Sequence, residues 1–163
     1  MAEVNPVPKG FNTVNSYLFV DDAKAAIEFY KAAFFATEGD CMVNPDGSIM
    51  HAEIVIGNST VMLSQANPQW GTKSAKTLGG SPVSLHVYAD NADELFESSV
   101  AAGSTVVAPM TDMFWGDRMG KVEDPFGIQW GIAKKIEDLN PEEVDRRAAE
   151  WVASMQASQN DQA

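Results

Sequence analysis

The chain has 163 residues, enough for one domain with a tail, and 45% of them are hydrophobic, enough to fill a core. A net charge of -12 repels phosphate backbones and anionic lipid, so neither nucleic acid nor membrane is an expected partner. No apolar run approaches the ~20 residues of a membrane span, and the opening Met-Ala-Glu-Val-Asn-Pro has no basic-then-apolar signal. A cytoplasmic small-molecule enzyme, small-molecule binder or interaction module is the expectation. The single cysteine, Cys41, allows no internal disulfide and points to a reducing compartment. No His or second Cys lies near it in sequence, so it reads as a small buried residue.

Residues 1–12, with two prolines, read as an irregular arm. Thr13 to Val20 alternates as a strand does and ends at Asp21-Asp22, a helix N-cap signal. The next helix is predicted over 22–34, where Ala23, Ala26, Ile27, Tyr30, Ala33 and Phe34 recur at three- and four-residue steps. Phe35 follows where a glycine commonly ends a helix, so either the helix ends otherwise or the backbone there is strained. Strands are predicted over 36–44, 49–56 and 60–65, with a turn at Asn44-Pro45-Asp46-Gly47. Residues 66–81 read as a loop.

The order then repeats. Residues 15–33 and 84–102 share an alternating apolar run, an acidic or amide pair, and a helix-like stretch ending in Ala-Ala. The second copy predicts a strand over 83–88, a helix over 92–102 stopped by Gly103, and strands over 105–108, 114–122 and 128–133. Asp124-Pro125-Phe126-Gly127 is the last turn. Each copy is strand, helix and three strands, an α+β pattern. Modules at 13–67 and 82–135, joined by a linker at 68–81, make one domain. Beyond it, residues 139–163 carry a helix: Asn140 caps it, Pro141 opens it, and Val144, Ala148, Trp151, Val152 and Met155 form its apolar stripe. Residues 157–163 are expected to fray.

Side chains alternate across a sheet. One face collects Leu18, Val20, Met50, Ala52, Ile54, Ile56, Val61, Leu63, Val83, Leu85, Val87, Ile128, Trp130 and Ile132, and should lie under the helices. The other collects Asn15, Tyr17, Phe19, His51, Glu53, Val55, Thr60, Met62, Ser64, Ser84, His86, Tyr88, Gln129 and Gly131. Aromatic, histidine and small residues dominate this second face. Such a lining suits a small-molecule cavity better than an ordinary wetted face.

Val20-Asp21-Asp22 leading into Ile27-Glu28-Phe29-Tyr30, the paired modules, and Asp124-Pro125-Phe126-Gly127 resemble the glyoxalase / bleomycin resistance / extradiol dioxygenase superfamily, called vicinal oxygen chelate. Met50-His51-Ala52-Glu53, Leu78-Gly79-Gly80-Ser81-Pro82-Val83 and Phe114-Trp115-Gly116-Asp117-Arg118 resemble its PhnB-like branch. The resemblance covers about residues 13–135. It implies two βαβββ modules whose curved sheets form a cavity, and a homodimer. It also implies four metal-ligand positions, which fall here on Asn15, about Ser64, Ser84 and Gly131. An amide, two hydroxyls and a glycine bind Zn²⁺, Ni²⁺ or Fe²⁺ poorly, so no metal is expected there and no cofactor is predicted.

The first functional expectation is a binding protein for a small aromatic or anionic ligand. Its candidate lining is Asn15, Tyr17, Phe19, Ser64, Ser84, His86, Tyr88, Trp115, Arg118 and Gln129. Trp115 offers a stacking surface and Arg118 a bidentate anion clamp; the plain alternative is an Asp117–Arg118 surface pair. The second expectation is a lyase, isomerase or oxygenase. It would use His51 as base and Glu53 as its orienter, or a divalent metal held by His51, Glu53 and His86. A third is an interaction module built on the C-terminal helix.

Overall fold

The computed structural model describes residues 4–160, with side chains through 157. The outermost residues of the expected arm and tail, 1–3 and 161–163, lie outside the described residues. The sequence repeat becomes two copies of one unit. In the first, strand β1 (Ser16–Val20) leads into helix α1 (Ala23–Phe34), then β2 (Thr37–Val43), β3 (Ile49–Ile56) and β4 (Ser59–Gln65). A one-turn helix α2 (Ala75–Leu78) lies in the connection. The second copy runs through β5 (Ser84–Tyr88), α3 (Ala92–Ala101), β6 (Thr105–Asp112), β7 (Asp117–Glu123) and β8 (Gln129–Lys135), and α4 (Pro141–Asn160) follows. Each copy forms a four-stranded sheet, ordered β1-β4-β3-β2 and β5-β8-β7-β6. The first strand of each pairs with the last in parallel, and the rest pair antiparallel.

Local chemistry sets the boundaries. Asp22 caps α1 by accepting from the Ala25 N–H, 2.9 Å away. At the other end Phe35 adopts φ 53°, ψ 34°, and is the one non-glycine residue at positive φ among the described residues. The strained reading of that position is therefore the correct one, at a cost of about 1–2 kcal/mol. The stretch read as a loop over 66–81 holds more structure than expected. Asn67 caps a 3-10 turn over Pro68–Trp70, and Ser74 caps α2. Gly and Pro masked these short elements. Strand β6 runs further than expected, through Pro109, which is tolerated because the strand is an edge and is bulged twice. Strand β7 begins three residues later than expected, after a turn closed by the Gly116 N–H on the Met113 carbonyl.

Helix α1 buries Ala26, Ile27, Tyr30, Ala33 and Phe34, and it reaches both sheets. The Phe34 and Trp130 rings lie 4.5 Å apart, and Tyr30 and Trp130 5.5 Å apart. The apolar face expected under the helices is buried on β3, β4 and β8 but only partly at β5, where Leu85 and Val87 are half-buried and Val83, just before the strand, is 61% exposed. These side chains instead border two recesses beside β5. Met50 is exposed as well, near the mouth of its hairpin. Cys41 is exposed rather than buried, because β2 is an edge strand with every residue exposed. Thr60 goes the other way and is buried, its hydroxyl donating to the Gly10 carbonyl of the N-terminal arm.

Helix α4 starts as expected, with the Glu143 N–H on Asn140 Oδ1 at 2.9 Å. Its stripe is half covered. Trp151 meets Phe114 at 5.6 Å, and Arg147 pairs with Glu137 and Glu143, but Trp151, Val152 and Met155 stay largely exposed.

The turn Asp124-Pro125-Phe126-Gly127 does more than reverse the chain. Asp124 is buried and accepts four hydrogen bonds, from Phe126 N, Ile128 N, Trp130 Nε1 and Tyr30 Oη. Replacing Asp124 by Asn turns an amide N–H₂ toward donors that need an acceptor. Asp124→Asn should therefore cost about 3 kcal/mol and Tyr30→Phe, which removes one donor of four, about 1 kcal/mol. Urea unfolding of both variants checks this order.

Candidate functional site

Strand alternation puts His51 and Glu53 on one face of the first sheet, and β1 brings Tyr17 beside them across Met62. Tyr17 Oη lies 3.1 Å from His51 Nδ1, and His51 Nε2 lies 3.3 Å from Glu53 Oε1. The Glu53 carboxylate only accepts, which assigns the ring proton to Nε2 and leaves Nδ1 to accept from the phenol. Gly39 on β2 leaves room for Glu53: a Cβ there would sit 3.0 Å from the Glu53 Cβ. Phe19 stacks on Tyr17, 5.0 Å between centroids. Ser64 is buried, and Asn15 is engaged in a local turn with Asn12 in both directions.

On the second sheet His86 lies over Gly131. A Cβ at 131 would come within 2.5 Å of the His86 Nδ1, so only glycine admits the ring in this position. His86 also packs against Tyr88 at 4.8 Å. Ser84 Oγ donates to the carbonyl of Gln129, its register partner. Among the described residues no three of His, Cys, Asp and Glu gather as a metal-binding group, so His86 does not join His51 and Glu53.

The Phe114–Arg118 segment divides two ways. Asp117 is 3% exposed, and its Oδ2 accepts from Tyr88 Oη at 2.7 Å and Trp115 Nε1 at 2.9 Å. Trp115 packs edge-on against Phe114 at 4.8 Å. Arg118 points to α3 and β6, where it pairs with Asp93 at 2.7 Å and Asp112 at 3.0 Å. Asp117 and Arg118 therefore form no surface pair with each other. Arg118, and after it Lys134, hold the Asp93 carboxyl down to about 2, and the two carboxylates hold the Arg118 guanidinium more firmly charged.

Two recesses lie along the facing edges of β1 and β5. The larger, about 690 Å³, is walled by Phe34, Phe35, Ile56, Leu85, Tyr88 and Trp130, with polar groups from His86, Asn58 and Asn91, and no Asp, Glu, Lys or Arg lines it. The smaller, about 330 Å³, is bordered by Tyr17, Phe19, Leu78, Ser81, Val83 and one charged residue, Lys73. Face parity pointed to Tyr17, Phe19, His86 and Tyr88 as cavity residues. It missed Phe34 and Trp130, whose positions read as core, and Phe35, which read only as an odd helix end. One signal was available: a bulky ring at residue 35, where a helix end prefers glycine, carries a backbone cost with no local return.

Paired βαβββ modules, sharing one core and leaving recesses between their first strands, are the architecture of the glyoxalase fold. The chain belongs to the Glyoxalase/Bleomycin resistance protein/Dioxygenase superfamily, whose family description matches residues 10–132. It is 41% identical over 134 residues to the uncharacterized protein Mb0911c of Mycobacterium bovis, covering 80% of this chain and 88% of that one. The X-ray structure of the Arabidopsis thaliana At5g48480 product superposes with a TM-score of 0.61 at 27% identity, over 77% of this chain and 98% of that one. The PhnB protein of Bacillus cereus shares the fold, with a TM-score of 0.58 at 16% identity over 77% of this chain and all of that one (100%). No helix among the described residues is long and apolar enough to cross a membrane.

The Asp93 carboxyl, at about 2, lies below its ordinary unfolded value of about 3.9. The stability it contributes is present above the unfolded value and disappears as pH falls from about 4 through about 2. Asp93→Asn should flatten that part of the acid arm of a stability–pH curve, measured by urea midpoints between pH 5 and pH 2.

Proposed function

We propose that this chain is a small-molecule-binding protein that takes a neutral ligand with an aromatic or apolar body into the larger recess between its modules. The supporting observation is the character of that recess. It has the volume of a drug-sized site, walls made by Phe34, Phe35, Tyr88 and Trp130, and no charged side chain in its lining. An anionic ligand is not favoured at this site, because Arg118, the clamp expected from sequence, already holds two carboxylates.

A metal-free site belongs to the same reading, and the support is the donor set. Of the four implied ligand positions, Asn15 is tied to Asn12, Ser64 is a buried hydroxyl, Ser84 donates to a backbone carbonyl, and the space beside Gly131 holds the His86 ring. No thiolate, carboxylate or imidazole occupies these positions as a ligand, and the residues do not fit a divalent ion there. The homodimer is also part of the proposal. Phe35 and Tyr88 are exposed at the mouth of the recess, a surface that a second copy would cover. Light scattering should give twice the chain mass, and the mass of a single chain would overturn this part of the reading.

Thermal shift against paired neutral and carboxylated aromatic compounds tests the ligand class. At roughly a hundredfold excess over Kd, the neutral member should add about 2.7 kcal/mol of stability. Equal stabilisation by the carboxylated members would sink the reading. Phe35→Gly removes a wall of the recess and relieves the left-handed strain, so it should weaken the ligand-induced shift while leaving the unliganded protein as stable or more so.

A further inference from the structure

We propose that Tyr88, latched by Asp117, is the specificity-determining wall of the larger recess: it parts that recess from a neighbouring pair of lysines and so shuts out anionic ligands. The inference rests on the reading of the larger recess as a ligand site, and it names the side chain that decides the ligand class.

A third recess, of about 350 Å³, is bordered by Tyr88, Ala89, Asp90, Lys134 and Lys135. Tyr88 and Ala89 also border the larger recess, so the two spaces meet at this pair, and only Tyr88 has a side chain long enough to divide them. The chemistry differs on the two sides. No Asp, Glu, Lys or Arg lines the larger recess, whereas the third brings two ammonium groups. Lys134 is committed to Asp93 at 3.0 Å. Lys135 has no hydrogen bond or ion pair among the described residues, and is the cation available to an anion there.

Register places the latch beside this lysine. Tyr88 lies opposite Ala133 and Asp117 opposite Lys135, so Tyr88, Asp117 and Lys135 share one face of the second sheet. Asp117 faces a lysine but is spent elsewhere. Its Oδ2 accepts from Tyr88 Oη at 2.7 Å and Trp115 Nε1 at 2.9 Å, and its Oδ1 is buried with no partner among the described residues. A buried carboxylate this short of donors makes each one costly to lose. The Tyr88 hydroxyl is therefore held firmly although the residue is 62% exposed, and the His86 ring packs against it. The bond to Asp117, and after it burial, push the Tyr88 phenol above its ordinary range, so the latch does not open by ionisation near neutral pH.

Specificity is set by exclusion as well as by attraction. With the Tyr88 ring in place, a carboxylate carried into the larger recess would be set among Phe34, Phe35 and Trp130 with no cation to meet it. With the ring removed, the same carboxylate would reach Lys135.

Isothermal calorimetry with 2-naphthamide and 2-naphthoate, a neutral and an anionic compound of nearly one shape, tests this. Wild type should favour the amide. Tyr88→Ala should bind 2-naphthoate about tenfold more tightly than wild type does, and Tyr88→Ala/Lys135→Met should lose that gain. Tyr88→Phe keeps the ring and removes the latch, so it should fall between wild type and Tyr88→Ala. No gain of 2-naphthoate in Tyr88→Ala would overturn the proposal, as would a gain that survives Lys135→Met. A Tyr88→Phe protein as closed as wild type would overturn the latch. If Tyr88→Ala does not fold, Tyr88→Ala/Asp117→Asn, which leaves no buried charge short of a donor, gives the same reading. A wild type indifferent to 2-naphthamide would count against the larger recess as a ligand site; the 2-naphthoate gain is read on the variants, so the two failures are told apart.

Discussion

One buried carboxylate links the two modules, among the aromatic rings packed between them. Asp124 sits in the second module, yet one of its four donors, Tyr30, comes from the helix of the first. Burial pushes the Asp124 carboxyl up, and the four donated hydrogen bonds pull it back down; burial is the larger effect. A buried charge is tolerable only when its lone pairs are filled, and here each oxygen accepts two bonds. The same bonds fix α1 against β8, and Phe34 against Trp130. The spacing of the two sheets follows, and with it the opening between β1 and β5. Two edges that do not pair with each other, over a core that does close, leave the recesses as a by-product of this clamp.

The modules, the cap at Asp22, the cap at Asn140 and the order of the strands were legible in the sequence, because each rests on neighbours within a few residues. Strand parity also put Tyr17, His51 and Glu53 on a common face, since alternation is a property of the strand alone. Parity could not tell that Gly39 opposes Glu53, or that Tyr17 would lean across Met62 to reach His51. The partners of Arg118 were out of reach for a different reason. Asp93 lies on α3, 25 residues earlier, and its approach depends on how the helix packs on the sheet. Asp117 looked like a surface charge for want of any sign that Tyr88 and Trp115 would both donate to it. Phe35 is the instructive case: the sequence carried the anomaly, but only the packed structure gives the ring a place on a recess wall.

The two recesses differ in chemistry although they share an edge. The larger is ring-lined, with no Asp, Glu, Lys or Arg in its lining, so any occupant would be held by shape and by removal of apolar surface from water. The smaller is bordered by one lysine, Lys73, and by the Tyr17 phenol, which is hydrogen-bonded to His51 and through it to Glu53. An anion approaching it would meet the overall charge of -12, with Lys73 the one cation in the lining. Duplicated modules allow this contrast, because each copy presents its own face.

The His86 ring above Gly131 has an evolutionary consequence. Any side chain larger than hydrogen at 131 would have to expel the imidazole from its seat against the sheet. Changes at 86 and 131 are thus coupled: a side chain fits at 131 only once the ring at 86 has moved or been replaced.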